Sequence, residues 1–323
     1  MKIVSLLARW EQRLRPRLGR EFQIVDVDLA DAERLGAEAR DAEIVLTDRL
    51  TREVAALFPA LRLVVCPFAG TERIDRSALP VGVSVINGGG TEEPIAEYVI
   101  AMLIAMRRHL FEADRKLRGG EWVRSFMGTG VVEEVYGSTL GLIGYGRIGR
   151  ETAKRAAAFG MKCRAVTVHP ERHGTHGRDP ADAVAEIGAL TDAATVDAVI
   201  SGSDAVAICC ELSDLTRGLI DRRRLALMKP SAVLINVARG PIVVERDLYE
   251  TLRDKRIAGA VIDVWYQYPA SPGARAMPSA YPFGELDNVI MTPHNSGWTK
   301  PAMERRIEMI ARALETFAAT SAA

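Results

Sequence analysis

Thr139-Leu-Gly-Leu-Ile-Gly-Tyr-Gly-Arg-Ile-Gly149 is the stretch that decides the fold. Its apolar start, Leu140–Ile143, reads as a buried strand, and Ile148–Phe159 has the 3.6-residue periodicity of a helix. The three glycines between them stand where a strand must turn sharply into a helix. Gly144 permits the tight turn, Gly146 lets the backbone approach a pyrophosphate, and Gly149 lets helix and strand pack closely. The new helix presents its first N–H groups, which have no partner within the helix, to an anion. A glycine-rich turn alone is weak evidence, since such turns also serve purely structural ends. Its strand-before, helix-after setting points to a dinucleotide cofactor held at Gly144, Gly146, Arg147, Ile148 and Gly149.

The next strand should end, about twenty residues past the last glycine, in an acid that accepts from the adenosine ribose 2′-hydroxyl. The residue there is His169. An acid would repel a 2′-phosphate; without it, Arg172 is free to pair with one, and His173, His176 and Arg178 add positive potential. NADP is therefore favoured over NAD. The alternative is a solvated basic loop in which Glu171 reaches the ribose and NAD is used.

Outward from this turn the chain alternates apolar runs with helical patterns, as a parallel α/β sheet covered on both faces does. The runs TLGLIG, CRAVTV, DAVAIC, AVLINV, IAGAVIDV and NVIMT give six strands by about residue 292. Upstream, KIVSLL, FQIVDVD, AEIVLT, LRLVVC and VSVIN form an earlier series, with ADAERLGAEA and TREVAALF as helices between them. Ile95–Arg118 reads as one long helix stopped by Gly119-Gly120, and the segment from about Thr299 to the end as an amphipathic helix. The Pro/Ala/Ser/Gly-rich piece Pro269–Pro282 reads as a surface loop.

Composition narrows the functional classes. Of 323 residues 48% are hydrophobic, enough for a sizeable core, and the length suits two domains. With 42 basic and 42 acidic residues the formal net charge is zero, which argues against a protein that holds nucleic acid or an anionic membrane. Cys66, Cys163, Cys209 and Cys210 are too few and too irregular for a disulfide framework, and their spacing gives no zinc signature, so no metal is expected. The apolar start is too short for a signal peptide. Ile95–Met106 falls short of the roughly 20 residues of a membrane span and contains Glu97. A reduced, cytoplasmic protein is the expectation.

Five further blocks make the chain resemble the D-isomer-specific 2-hydroxyacid dehydrogenases over nearly its whole length. They are Cys66-Pro-Phe-Ala-Gly-Thr-Glu-Arg-Ile-Asp75, Leu212–Ile220, Met228-Lys-Pro-Ser-Ala-Val-Leu-Ile-Asn-Val-Ala-Arg-Gly-Pro-Ile-Val243, Gly259–Trp265 and Thr292-Pro-His-Asn-Ser-Gly297. The resemblance implies two doubly wound parallel-sheet domains. A Rossmann cofactor domain (98–291) would be inserted into a flavodoxin-like substrate domain (1–97 plus 292–323). It further implies hydride transfer between a nicotinamide and a small 2-oxo or 2-hydroxy acid, and a homodimer formed through the cofactor domain.

Such chemistry needs a fixed carboxylate, a stabilised oxyanion and a delivered proton. Arg239, at a strand's carboxyl end, has the planar fork that suits both carboxylate and carbonyl oxygen. His294, in the Thr-Pro-His block, titrates in the range a general acid needs; His109 beside two arginines reads as a surface residue. By carry-over, Ala69 and Gly70 would hold the substrate carboxylate and Asp263 would face the nicotinamide. Cys210 and Thr216 would lie nearer the adenosine, with Val237 and Gly297 along the cofactor.

The chain departs from the family pattern in one place that matters. Where most members carry a glutamate that hydrogen-bonds the catalytic histidine, position 268 is Tyr, preceded by Gln267. Tyr268 or Gln267 is then the partner of His294. A neutral partner gives up the carboxylate's preference for the charged ring, so His294 should titrate lower than usual in the family, and ketoacid reduction should fade as pH rises. Glu92 and Glu93 beside the glycine run 88–90 argue against a doubly charged substrate and for glyoxylate, hydroxypyruvate or a longer apolar ketoacid. Other readings are altered chemistry built on Tyr268 and Gln267, or a catalytically weak sensor or assembly protein that binds cofactor on the same fold.

Overall fold

The computed structural model describes residues 1–68, 70–124, 130–173, 184, 186–271 and 273–322. They divide into two compact units, Met1–Thr91 with Trp298–Ala323, and Glu92–Gly297.

The first unit is built on β1 (Lys2–Ser5), β2 (Gln23–Asp26), β3 (Ile44–Leu46), β4 (Leu63–Cys66) and β5 (Ser84–Asn87), all parallel, in the order β2-β1-β3-β4-β5. That is the flavodoxin-like order. Alternate residues of each strand feed opposite faces, so both faces need cover. On one face Val4, Val45 and Val64 pack against Leu35 and Ala39 of α2 (Ala32–Ala39) and Ala55 of α3 (Arg52–Ala55). On the other, Ile3, Ile44 and Val65 meet Leu14 of α1 (Trp10–Leu14) and a helix from the far end of the chain.

The second unit opens with α4 (Glu92–Arg107) and α5 (Leu110–Arg118). Its strands are β6 (Thr139–Ile143), β7 (Lys162–Thr167), β8 (Glu186–Ala189), β9 (Ala205–Ile208), β10 (Val233–Asn236), β11 (Gly259–Ile262) and β12 (Val289–Met291). They form one sheet in the order β12-β11-β10-β9-β6-β7-β8, parallel throughout. Val99 and Leu103 of α4, with Ala153 and Ala156 of α6 (Arg147–Ala158), cover one face through Leu142, Ala207, Ile235 and Val261. The other is covered by α7 (Ala193–Gly202), α8 (Arg222–Leu225) and α9 (Glu245–Arg253) over Val206, Leu234 and Ile262. Finally α10 (Lys300–Ala322) returns to the first sheet, burying Ile307, Ile310 and Leu314 there.

Three expectations change. The larger sheet has seven strands, not six: β8 is an edge strand of Glu-Ile-Gly-Ala paired to β7, short and poor in β-branched residues. The helix expected over Ile95–Arg118 is two helices, because His109 takes the left-handed conformation (φ 51°) and breaks the run before α5. The units meet in the chain at 91/92 and 297/298, not at 97/98 and 291/292. The first turns of α4 belong with α6 and β11, and residues 292–297 are tied to Asp263.

Candidate active site

Because all seven strands of the larger sheet run the same way, the loops that follow them emerge on one edge. Gly144 follows β6, His169 follows β7, Cys209 and Cys210 follow β9, Arg239 follows β10, Asp263 follows β11 and His294 follows β12. The order in which strands are added reverses between β6 and β9, β7 and β8 lying on one side and β10 to β12 on the other; this is the switch point where open α/β sheets bind ligands.

The three glycines there do three different jobs. Gly144 has φ +106°, and a Cβ on it would lie 2.6 Å from the Cys210 nitrogen, so the turn is closed to any side chain. A Cβ on Gly149 would lie 2.3 Å from the Gly144 carbonyl oxygen. A Cβ on Gly146 would meet nothing within 4 Å. Gly146 thus has no packing reason to be glycine; it keeps open the space before the first turn of α6, where a pyrophosphate would sit. The residues fit a dinucleotide on that ground. Arg147 Nε lies 3.0 Å from Glu92 Oε1, which draws one of the two acids flagged in the sequence to this turn. Ile148 packs its side chain into the core.

After β7, where the adenosine is expected, His169 Nδ1 lies 3.1 Å from Glu171 Oε1, and Arg172 is exposed beside them. Backbone hydrogen bonding first, then the contact with His169, hold the Glu171 carboxyl below its ordinary range. His176 and Arg178 lie outside the described residues. Burial pushes the thiols of Cys209 and Cys210 up to about 12, so they are packing groups and not nucleophiles. The Thr216 hydroxyl, buried, donates to the Glu211 carbonyl at 2.6 Å and accepts the Ser213 N–H at 2.8 Å; its work is to shape the turn after β9. Val237 is buried at the end of β10, and Gly297 closes the unit.

The residues expected to carry the chemistry follow three neighbouring strands. Arg239 is half-buried and extended, with Nη1 donating to the Ala238 carbonyl at 2.7 Å, and Asn236 Nδ2 fixes its own carbonyl at 3.0 Å. A Cβ at Gly240 would lie 2.5 Å from the Trp265 carbonyl oxygen, so the next loop packs directly against it. His294 is exposed, with φ 57°, an unusual conformation for a side-chain-bearing residue. Fully buried Asp263 holds it there: Oδ1 accepts from Thr292 Oγ1 (2.5 Å) and the Asn295 N–H (3.0 Å), and Oδ2 from the Ser296 N–H (3.0 Å). Both oxygens of Asp263 are thus engaged with the histidine loop, a role the sequence reading did not give it. The Tyr268 hydroxyl lies 3.1 Å from His294 Nδ1 and accepts the Trp265 N–H at 3.1 Å. Gln267, exposed, is placed through its backbone N–H, which donates to the Pro278 carbonyl. Arg239 and His294 follow strands two apart in the sheet, with Asp263 following the strand between them.

In the other unit, Cys66 ends β4 and its thiol donates to the Gly70 carbonyl at 3.3 Å; Ala69 lies outside the described residues. A Cβ at Gly88 would lie 2.2 Å from the Pro67 carbonyl oxygen, so the chain after β5 packs directly against the loop after β4. Phe68 lies under the buried guanidinium of Arg306, 5.2 Å from its ring centroid, a cationic neighbour that no sequence motif flagged.

A family model described as D-isomer specific 2-hydroxyacid dehydrogenase, NAD binding domain, matches residues 100–296. The chain belongs to the D-isomer-specific 2-hydroxyacid dehydrogenase family. A glyoxylate reductase of Thermofilum pendens is 34% identical over 275 residues, covering 84% of this dehydrogenase and 76% of that protein. An (S)-sulfolactate dehydrogenase of Chromohalobacter salexigens is 35% identical over 274 residues, 84% and 82% of the two chains. Among solved structures, a D-lactate dehydrogenase from Aquifex aeolicus complexed with NAD and lactic acid superposes with TM-score 0.79 at 23% identity, covering 99% and 96% of the two chains. An NAD-dependent formate dehydrogenase from Staphylococcus aureus in complex with NAD gives 0.74 at 26%, covering 98% and 95%. This dehydrogenase is an NAD(P)-dependent oxidoreductase that moves a hydride between a nicotinamide and a 2-oxo or 2-hydroxy acid. Among the described residues no helix is long and apolar enough to cross a membrane, and no group of three His, Cys, Asp or Glu could hold a metal.

Proposed function

We propose that the dehydrogenase reduces a small 2-oxo acid of glyoxylate or hydroxypyruvate size, or one with a longer apolar side chain, with NADPH favoured over NADH. The observation that carries this reading is the convergence of Arg239, Asp263 and His294 on one sheet edge with the glycine turn. A bound reduced nicotinamide supplies the hydride. Arg239 pairs with the substrate's carboxylate and polarises its carbonyl. The family resemblance gives Ala69 and Gly70 a carboxylate-binding role. His294 gives its Nε2 proton to the oxygen as charge develops there. Tyr268 steadies the ring from Nδ1 but, as a neutral phenol, does not favour the imidazolium as a carboxylate would. Reduction should therefore be fastest below neutrality.

NADPH preference is supported by His169 in place of an acid at the end of β7 and by exposed Arg172; Glu171, already engaged by His169, is the counter-argument. A homodimer through the cofactor unit is supported by α5 and the segment after it, which expose Leu110, Phe111, Leu117 and Trp122 to solvent. We place the protein in the cytoplasm on the reading of its thiols as reduced. The test is oxidation of NADPH and of NADH against a panel of 2-oxo acids at about pH 6. Turnover of none of them, with cofactor still bound, would replace this reading by that of a cofactor-binding sensor or assembly protein.

A further inference from the structure

We propose that Tyr98, on α4, is a positioning residue for the reaction: through Thr292 and Asp263 its hydroxyl holds the loop that carries His294. The inference rests on the proposed role of His294 as proton donor.

Thr292 Oγ1 donates its only proton to Asp263 Oδ1, at 2.5 Å. Its oxygen is also 2.6 Å from the Tyr98 oxygen, so in that contact Tyr98 donates and Thr292 accepts. Burial, with the nearby charge of Asp263 adding to it, pushes the Tyr98 hydroxyl up to about 12, which keeps it protonated and a donor through the working range. The result is a one-way chain, Tyr98 to Thr292 to Asp263, ending on a carboxylate that also takes the Asn295 and Ser296 N–H groups. Trp265 Nε1 fixes the Thr292 carbonyl at 2.8 Å. These ties bracket His294 on both sides and hold it at φ 57°, a conformation that costs energy without support. Hydroxyl chains of this kind are cooperative: a donor at the head strengthens the bond at the tail. Tyr98 adds rigidity to the loop from a helix 194 residues away in sequence.

The test is Tyr98→Phe, which removes one oxygen and keeps the ring. Hydrogen–deuterium exchange at Asn295 and Ser296 should quicken about tenfold, with β10 and β11 unchanged, and kcat for a 2-oxo acid should fall about as much while the cofactor Kd stays within twofold. The pH–rate profile should flatten as solvent replaces His294 as proton source. Thr292→Val cuts the same chain at its middle link and should reproduce all of this, so the inference stays testable if Tyr98→Phe folds poorly. Unchanged exchange and kcat in either variant overturns it. So does a fall in kcat accompanied by an equal loss of cofactor affinity and a general loss of protection, which would mark a structural role. His294→Ala separates the two levels: if it retains full turnover, the assignment of His294 fails; if it is inactive while Tyr98→Phe behaves as the parent, only the role of Tyr98 fails.

Discussion

Gly146→Ala and Gly149→Ala form a pair whose outcomes should diverge, although both change one glycine of the same turn. At 149 the new methyl would lie 2.3 Å from the Gly144 carbonyl oxygen, and backbone has to move by about 1 Å to relieve it. Overpacking of that kind costs about 1–3 kcal/mol, or roughly 3–10 °C in Tm for a unit of this size. At 146 the methyl meets no protein atom within 4 Å, and φ −80°, ψ −155° is open to alanine. The weaker N-cap preference of alanine and its smaller unfolded-chain entropy are each below about 1 kcal/mol and oppose one another, so Tm should hold. Both variants should lose cofactor. Gly146→Ala does so because its methyl fills the space where a pyrophosphate would approach the helix N–H groups; loss of one or two charge-assisted bonds, about 1.5–3 kcal/mol each, raises Kd by at least tenfold. Thermal denaturation with and without NADPH, alongside a fluorescence titration, reads both quantities. Parent-like cofactor affinity in Gly146→Ala would refute the placement of the phosphate cradle at this turn.

Four other outcomes follow from the site and its surroundings. Arg239→Lys should cut kcat/KM by about 10²-fold or more in steady-state assays, since an ammonium cannot replace the planar two-point contact. Tyr268→Glu restores a carboxylate beside His294 Nδ1 and should move the alkaline limb of the pH–rate profile to higher pH; an unmoved limb would count against His294 as the acid. Burial opposes ionisation of Asp204, but the Lys229 ammonium at 2.7 Å and the Thr139 N–H at 2.8 Å outweigh it and hold its carboxyl below the ordinary range. A carboxyl depressed on folding stabilises above its unfolded value and loses that contribution as pH falls through its folded one, so acid melts should show Asp204→Asn losing less stability than the parent below about pH 4. With their thiols raised to about 12, Cys209 and Cys210 should resist iodoacetamide in the native protein at neutral pH and react on unfolding, as mass spectrometry would show.

The parts of this molecule that a reader of the sequence can see are those where a local rule decides. Strands buried on both faces must be continuous apolar runs, and LVVC, TLGLI and VLIN are such runs; a turn that admits no Cβ must be glycine, as at Gly144 and Gly149. Where tertiary context decides, the sequence is silent. Glu-Ile-Gly-Ala becomes a strand because β7 offers it an edge, and the helix after α4 restarts at His109 without a glycine or proline to announce it. Tyr268 stood out because a glutamate was expected at its position. Tyr98 did not, because an aromatic on an apolar helix looks like core, and only the folded chain shows its hydroxyl against Thr292. Asp263, expected to face the nicotinamide, has both oxygens bonded to the loop that carries His294, a bond pattern no motif encodes.

The common direction of the seven strands has a practical side. Lys162 begins β7, exposed, on the rim opposite the glycine turn, among starts of strands that carry no predicted chemistry. A single attachment there would anchor the catalyst to an electrode or bead with its reactive rim turned outward, toward reactant and coenzyme in the flow.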